Sequence, residues 1–285
     1  MKKQDGYRLL DSGREVKLEQ VDDCLLIRPA PRAVWSPTLP EKKWDAADAV
    51  YIRSSTGGGN WEFRNRTPEQ FDIYFHGLKF IIKPTGFGHL GLFPEQSDNW
   101  EWIAGKIKTA GRPVSVLNMF AYTGGSTLVA ASAGASVCHL DASKGAVDWA
   151  RENAALSKLS ACPIRWIVDD VMKFIEKEIR RGKTYNAIIL DPPSFGRGVK
   201  GEVWKIENDL TKLLANCQQI LNDKPLFILL SCHSPGFTPL VLQNLLAEMM
   251  KNKAGQLSCG EMVITEETGR LLPSGTYARW SYNSV

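Results

Sequence analysis

The sequence predicts an α/β fold in which a doubly wound, mostly parallel sheet follows a small β-rich domain. From about residue 98 onward, short apolar strands alternate with segments of helical periodicity, which is the pattern of repeated strand–helix units. Before that point, short β-like pieces are separated by proline and glycine. We therefore predict an N-terminal β-rich domain over residues 1–97 and an α/β domain over residues 98–285.

Three segments of the N-terminal part have strand-like composition: "CLLIRPAP", "AVYIRSS" and "FDIYFHGLKFIIKP". The third alternates over a length that suits two strands, and His76-Gly77 near its centre predicts the turn between them. A loop with interleaved aromatic and basic residues, "STGGGNWEFRNRTPE", precedes it.

In the α/β part, the predicted strands alternate with predicted helices. These strands are "VSVLNMF", "VCHLD", "IRWIVDD", "YNAIILD" and "PLFILLSC", and "GEMVITEE" and "TYARWSYN" close the domain. Ligands of such sheets bind at the carboxyl ends of the parallel strands, so we expect functional residues there.

The bulk properties set limits on function. The net charge of +4 is compatible with a polyanionic partner without demonstrating one. No stretch reaches the roughly 18 apolar residues that a membrane span needs. The six cysteines are scattered, with no CxxC pair or zinc-type spacing. We expect reduced thiols in a cytoplasmic enzyme, with no metal and no membrane partner.

The first predicted strand runs into the glycine-rich segment "NMFAYTGGST". Gly124 and Gly125 would let the backbone approach a ligand closely, and the next helix offers free N–H groups at its start. The segment lacks GxGxxG, so the dinucleotide fingerprint is absent. A tight turn without a ligand is the alternative interpretation.

The second and third strands end on carboxylates. Asp141, about 20 residues after the first strand, could accept hydrogen bonds from both hydroxyls of a ribose. Asp170, directly before Val171, could accept the exocyclic amine of an adenine while the next backbone N–H donates to a ring nitrogen. For each aspartate, a helix N-cap is the alternative.

The fourth strand ends at Asp191, followed by Pro192 and Pro193. Two prolines remove two N–H donors and fix φ twice, so the strand cannot continue inside a sheet. One proline would end the strand, and an unpaired carboxylate at a buried strand end is costly. We therefore predict a rigid binding edge for a flat, hydrogen-bonding substrate on which Phe195 could stack.

The fifth strand places Cys232, beside His233, at the same edge. A thiolate there could attack a carbon atom, although a passive buried thiol is the alternative. His233 is expected to shape the loop rather than to accept a proton. Buried, hydrophobic behaviour is predicted for four other thiols: Cys24, Cys138, Cys162 and Cys217.

The glycine-rich turn, the two aspartates and the Asp-Pro-Pro run, in this order, resemble the class I S-adenosylmethionine-dependent methyltransferases. More narrowly, "VLNMFAYTGGSTLVAASAGASVCHLDASKGAVDWARENAALSKL" and "DDVMKFIEKEIRRGKTYNAIILDPPSF" are similar to the ribosomal RNA large-subunit cytosine-5 methyltransferases, as is "LGLFPEQSDNW". The similarity covers roughly Phe87 to Cys232. It implies a Rossmann-like methyltransferase sheet with an antiparallel last strand, S-adenosyl-L-methionine as cofactor, and RNA, preferably rRNA, as substrate.

The resemblance also implies residue roles. The glycine-rich loop would bind the methionine part of the cofactor, Asp141 its ribose and Asp170 its adenine. The full set of expected cofactor-binding residues is Gln96, Phe120, Tyr122, Thr123, Gly124, Gly125, Asp141, Ala142, Asp170, Val171 and Asp191. Cys232 and Asp191 would be catalytic, with the thiolate adding to cytosine carbon 6 so that carbon 5 can attack the methyl group. Pro192, Pro193, Phe195 and Arg197 would contact the substrate.

Two features depart from the cytosine-5 group. The N-terminal residues leave no evident room for the group's RNA-binding front domain, and His233 stands where a small polar residue is usual. The alternatives are therefore methyl transfer to a nitrogen of guanine, protein or a small molecule, a nicotinamide-dependent oxidoreductase, and a non-catalytic RNA-binding protein. Trp204 is a second candidate for base stacking. Three basic residues are either phosphate contacts or a solvated loop: Arg197, Lys200 and Lys205.

Overall fold

The structure, a computed structural model, describes residues 5–54, 58–65, 67–198 and 201–282. It divides into two compact units, Met1–Glu95 with Val263–Ser274, and Gln96–Met262 with Gly275–Val285. The first unit thus contains a second, distant segment, because Glu267 N donates to Leu9 O and the Ser12 hydroxyl donates to Glu266. The predicted division after residue 97, which treats each part as continuous, stays a prediction.

The first unit contains a five-stranded sheet in the order β1-β2-β3-β4-β5 and a separate hairpin, β6-β7. Its elements are β1 (Tyr7–Gly13), β2 (Val16–Val21), β3 (Cys24–Pro29), α1 (Glu41–Asp45), β4 (Ala49–Arg53), β5 (Gly59–Phe63), β6 (Phe71–Phe75) and β7 (Leu78–Ile82). The predicted hairpin turn is confirmed, since His76 and Gly77 have φ of 48° and 78° between β6 and β7.

Glu19 of β2 forms the centre of a buried charge cluster in this sheet, with no exposed surface of its own. Arg28 Nε lies 2.6 Å from Glu19 Oε2, and Lys17 Nζ lies 2.8 Å from Oε1. The Tyr7 hydroxyl also donates to Oε1 at 2.6 Å. Burial alone would raise the pKa of Glu19, but the charges of Arg28 and Lys17 outweigh it and hold the pKa at about 2.

The second unit is built on a seven-stranded sheet in the order β10-β9-β8-β11-β14-β16-β15, although the end of β15 and the start of β16 belong to the Val263–Ser274 segment of the first unit. The strands from β10 to β14 are parallel to their neighbours, and β16 pairs antiparallel with β14. These strands are β8 (Ser115–Met119), β9 (Ser136–Asp141), β10 (Ile164–Val168), β11 (Ala187–Leu190), β14 (Phe227–Cys232), β15 (Gln256–Thr265) and β16 (Leu271–Ser281). The predicted fold class is confirmed.

Among the described residues of this unit, one helix precedes the strands and five connect them. They are α2 (Ser97–Lys108), α3 (Gly125–Ser132), α4 (Lys144–Leu156), α5 (Val171–Arg180), α6 (Ile206–Gln219) and α7 (Pro239–Met249), and a 3-10 turn (Pro94–Gln96) precedes α2. All four residues of β11 are buried, as expected for a central strand with both faces covered. The described residues contain no helix both long and apolar enough to cross a membrane.

A short ribbon follows the Asp-Pro-Pro run, in a segment for which the sequence predicted no strand. It consists of β12 (Phe195–Arg197) and β13 (Val203–Lys205), paired antiparallel. The Trp204 indole donates to the carbonyl of Pro193 at 2.7 Å, which anchors the ribbon to the prolines. Lys200 lies outside the described residues.

The six cysteines are free thiols. Buried positions are confirmed for Cys24, Cys138 and Cys217. The same prediction is wrong for Cys162, which is partly exposed because it lies in a bend just before β10.

Candidate active site

The strand register brings the predicted functional residues to one edge of the sheet. Leu190 of β11 pairs with Met119 of β8 on one side and with Leu230 of β14 on the other. Met119 pairs in turn with Leu140 of β9. The glycine-rich turn, Asp141, Asp191 and Ser231 therefore follow neighbouring strands at the same level, as ligand-binding residues do in open parallel sheets.

The turn between β8 and α3 has an unusual backbone. Phe120, Tyr122 and Gly124 have φ of 56°, 47° and 90°, a region that side-chain-bearing residues seldom adopt. A Cβ on Gly125 would lie 2.3 Å from the Trp100 ring, and one on Gly124 would lie 3.0 Å from Ala150 Cβ. Close packing inside the unit thus requires both glycines. This requirement holds whether or not the backbone of the turn also approaches a ligand.

Polar side chains beneath this turn hold its conformation, and the sequence interpretation missed them. Thr127 Oγ1 lies 2.9 Å from both Asn118 Nδ2 and His139 Nδ1. The amide of Asn153 donates to the carbonyl of Thr123 at 2.9 Å. Burial lowers the pKa of His139 to about 3, so the imidazole is neutral. A polar residue inside each apolar strand, Asn118 and His139, was the available signal.

Asp141 ends β9 and is held in place by backbone N–H groups. Its Oδ2 accepts from Tyr122 N at 2.9 Å, and its Oδ1 accepts from Ser143 N at 2.8 Å. Burial raises the pKa of Asp141 more than these hydrogen bonds lower it. Ser143 itself caps α4, so the N-cap alternative for Asp141 does not hold. Each oxygen can still accept one further hydrogen bond. Ala142, half-buried, continues from this aspartate.

Asp170 is the N-cap of α5, with Oδ1 accepting from Lys173 N at 3.0 Å. The capping interpretation therefore holds, while Oδ2 has no hydrogen bond to another described residue and could accept one from a ligand. Val171, the first residue of α5, is buried. The neighbouring Asp169 forms an ion pair with Lys177 at 2.6 Å, which leaves Asp170 as the better candidate of the two.

Asp191 lies at the centre of a polar cluster after β11. Gln96 Nε2 donates to its Oδ2 at 3.0 Å, and His233 Nδ1 lies 3.5 Å from its Oδ1. Burial alone would raise the pKa of Asp191, but the imidazole of His233, with Ser231 and Gln96, leaves it below its ordinary value. Oδ1 is buried and has no hydrogen-bond partner among the described residues. Such an acceptor is costly unless a ligand brings a donor.

Gln96, expected to contact the cofactor, donates a hydrogen bond to Asp191. Its amide nitrogen also approaches Ser231 Oγ at 3.1 Å, and its Oε1 accepts from Asn99 at 2.7 Å. Asn99 Oδ1 accepts in turn from Arg279 at 2.6 Å. The cofactor role of Gln96 stays a prediction, whereas its contact with Asp191 makes it a positioning residue for that carboxylate.

The segment after Asp191 presents an aromatic ring to solvent. Phe195 is 51% exposed, and the Arg197 guanidinium lies 5.8 Å from its ring centre. Pro192 is buried and Pro193 is exposed. Trp204, by contrast, is only 6% exposed and packs against Phe120 at 4.9 Å. Phe195 is therefore the ring available for stacking, and Trp204 is a structural support.

Cys232 has no exposed surface and belongs to the same buried hydrophobic cluster as Leu230 and Leu242. Its Sγ accepts from Ser234 N at 3.3 Å. Burial raises the pKa of the Cys232 thiol more than this hydrogen bond lowers it. Its role as a nucleophile stays a prediction that this geometry does not favour.

Comparison with known proteins identifies the class of this protein. Residues 53–261 match the family described as S-adenosylmethionine-dependent methyltransferase. The match covers more than half of the chain, so the chain belongs to this family, and its cofactor is S-adenosylmethionine.

Three individual proteins show what the chain is similar to within this family. A crystal structure of a SAM-dependent methyltransferase from Agrobacterium tumefaciens is 41% identical, with a TM-score of 0.93 over 98% of this chain and 91% of its own. A ribosomal RNA large subunit methyltransferase K/L from Alteromonas mediterranea is 31% identical over 66% of this chain. A ribosomal RNA large subunit methyltransferase I from Tolumonas auensis is 31% identical over 61%. The chain spans only 26% and 42% of these two relatives.

The residues at the strand ends fit this cofactor. Asp141 offers two further acceptor positions for ribose hydroxyls, and Asp170 has an oxygen available for an amine. The glycine turn supplies a backbone without side chains at the start of α3, where N–H groups favour a carboxylate. When bound, S-adenosylmethionine supplies an activated methyl group on a positively charged sulfur.

Replacing Asp141 by alanine should weaken S-adenosylmethionine binding, because two charge-assisted hydrogen bonds to the ribose would be lost. We expect the free energy of binding to fall by about 1–3 kcal/mol. Calorimetry would measure the affinity of this variant for S-adenosylmethionine. Asp148→Ala, which changes an exposed aspartate of α4, is the control. An affinity equal to that of the wild type would refute the ribose assignment.

Proposed function

We propose that this methyltransferase modifies a base in RNA, with rRNA as the preferred substrate and the cytoplasm as its location. The observation that carries the proposal is the Asp191 Oδ1 atom, a buried acceptor with no hydrogen bond from the described residues and only the His233 imidazole at 3.5 Å, a few residues before the exposed ring of Phe195. A flat ring with an amino group matches both features, since it can stack on Phe195 and donate to Asp191. The two relatives named for ribosomal RNA support this substrate class.

The amino nitrogen itself is the acceptor atom that we favour. A carboxylate that accepts one N–H of an amino group orients the nitrogen and increases its electron density. As the nitrogen–methyl bond forms, the methyl–sulfur bond breaks, and the nitrogen releases a proton that Asp191 can accept. Positioning supplies most of the rate enhancement for such a transfer.

Cytosine carbon 5 is the second candidate. In that reaction Asp191 would bind the amino group at position 4 of the ring, and the Cys232 thiolate would add to carbon 6. Cys232 directly follows Ser231, whose Oγ receives a hydrogen bond from Gln96, so it lies close to the site along the chain. Its thiol, however, faces the core, and the reaction would require a local movement to expose it.

Replacing Cys232 by alanine separates the two candidates. We expect the variant to keep at least about one third of the wild-type kcat, because a nitrogen acceptor needs no thiol and Cys-to-Ala in the core leaves only a small void. Steady-state methyl transfer to isolated rRNA would measure kcat, with Cys217→Ala as a buried control. Loss of turnover with S-adenosylmethionine affinity intact would instead favour cytosine carbon 5.

Methyl incorporation tests the substrate class. Isotopically labelled S-adenosylmethionine should transfer label to rRNA purified from cells that lack the gene, and nucleoside mass spectrometry should identify one methylated base. RNA binding should also weaken as salt rises, because phosphate contacts release counterions. Labelling of protein or small molecules with no labelled RNA would contradict the proposal.

A further inference from the structure

The first unit contains a pocket whose lining residues are all different from those of the candidate active site. Its volume is about 160 Å³, and β2, β3, β4 and the segment from Phe87 to Glu95 form its walls. All of its lining residues belong to the first unit, whereas the candidate active-site residues belong to the second. None of the pocket's lining residues has a part in the methyl transfer proposed above.

An exposed aromatic ring stands at this pocket. Phe87 is 75% exposed, between Gly86 and Gly88. Gly88 has φ of +78°, and a Cβ there would lie 2.6 Å from the Tyr51 ring, so only glycine allows this close approach. The Tyr51 hydroxyl donates to the carbonyl of Gly86 at 3.0 Å. The turn is thus fixed by its backbone, and the Phe87 ring remains available to a planar partner.

A nearly buried ammonium group also lines the pocket. The Lys17 side chain is 11% exposed, and among the described residues its ion pair is with Glu19 alone. An ammonium group has three N–H donors, so donors remain for a ligand. Arg28 differs, because it donates to both oxygens of Glu19 and to the carbonyl of Gly88.

The charges around Lys17 and Arg28 are close to balanced. Glu19 pairs with both cations, and Glu95, also in the pocket wall, attracts Lys17 as well. The inner part of the pocket therefore suits a neutral group with hydrogen-bond acceptors better than a phosphate. Arg53, by contrast, is exposed at the end of β4 and has no ion pair within the described part of the chain. A phosphate is the natural partner of such a residue.

We propose that this pocket holds one unpaired nucleobase of the RNA substrate, at a position other than the base that is methylated. Phe87 stacks on the base, Lys17 donates to a ring acceptor, and Arg53 contacts the adjacent phosphate. A cavity of about 150 Å³ admits a benzene-sized ring, so the pocket has room for one base and not for a stacked pair. The proposal rests on the proposed function, because it takes RNA as the substrate.

RNA binding by full-length variants tests this assignment. Fluorescence anisotropy with a labelled single-stranded RNA 12-mer of random sequence should show that Phe87→Ala raises Kd about tenfold, the usual effect of losing one stacked base. The matched control is Phe63→Ala, since Phe63 is 55% exposed in the same unit and does not line the pocket. Arg53→Ala should reduce the slope of log K against log salt by about one.

The experiment distinguishes a wrong pocket assignment from a wrong proposed function. If the wild type binds and methylates RNA while Phe87→Ala binds as tightly as the wild type, the pocket assignment alone is wrong. An equal loss in Phe63→Ala would also refute it, because the effect would not be specific to the pocket. If the wild type neither binds the 12-mer nor methylates RNA, both proposals fall.

Discussion

Replacing Asp191 by alanine should lower kcat by about 10²- to 10⁴-fold, the range expected for a residue that accepts a proton and orients the acceptor. The affinity for S-adenosylmethionine should change much less. The contacts of the Asp191 carboxylate are with Gln96, Ser231 and His233, and the proposed function assigns it none with the cofactor. The physical reason is that, in the proposed function, the carboxylate stabilises the reacting nitrogen and not the bound cofactor. Steady-state transfer to rRNA measures kcat, and calorimetry on the same variant measures the affinity for S-adenosylmethionine.

The control for this prediction is Asp169→Ala. Asp169 is also a carboxylate after a strand of the same sheet, but it is partly exposed, with Oδ2 paired with Lys177 and Oδ1 accepting from Asp170 N. Its removal should leave kcat within about twofold, as is usual for surface ion pairs. A variant of Asp191 that loses cofactor affinity and keeps its turnover would show that the carboxylate binds the cofactor instead.

Replacing Glu19 by glutamine should destabilise the first unit strongly. The variant leaves Lys17 and Arg28 largely buried without their carboxylate, and breaking a buried ion pair in this way costs about 3–5 kcal/mol of the free energy of unfolding. Urea unfolding would measure the loss. Glu62→Gln, an exposed residue of β5, is the matched control and should change stability by less than about 0.5 kcal/mol.

The pH dependence of this loss has a definite sign. The pKa of Glu19 is about 2 in the folded protein, against 4.5 as its ordinary value. Because the folded pKa is depressed, the carboxylate stabilises the protein above pH 4.5, and this contribution disappears as the pH falls towards 2. The stability difference between wild type and Glu19→Gln should therefore shrink below pH 4.5. A difference that stays constant down to the acid transition would contradict the account.

Much of the fold follows from local sequence signals. Strand β11 is a short, wholly apolar run that ends at two prolines, and the β6-β7 turn is at His76-Gly77, so each can be predicted without knowledge of the rest of the chain. The β12-β13 ribbon could not be predicted in this way. Its strands have three residues each and depend on the contact between Trp204 and Pro193.

The candidate site likewise contains residues that the sequence predicts and contacts that it does not. Asp141, Asp170 and Asp191 can be predicted as candidates because each lies at or just after the end of a parallel strand. The contacts of Gln96 with Asp191, and of Asn99 with Arg279, join residues 95 and 180 positions apart and have no local signal.

The alternation of side chains along a strand also indicates which face of the sheet Cys232 occupies. Successive residues of a strand point to opposite faces of the sheet. Ser231 contacts Gln96, so its neighbour Cys232 faces the other side, where the core buries it.

A crystal structure with S-adenosylhomocysteine bound tests the central claim most directly. The account predicts the ligand along the carboxyl edge of the sheet, with its ribose hydroxyls on Asp141, its adenine near Asp170 and its sulfur facing the Asp191 segment. Binding anywhere other than between the Gly124 turn and Pro192 would contradict it.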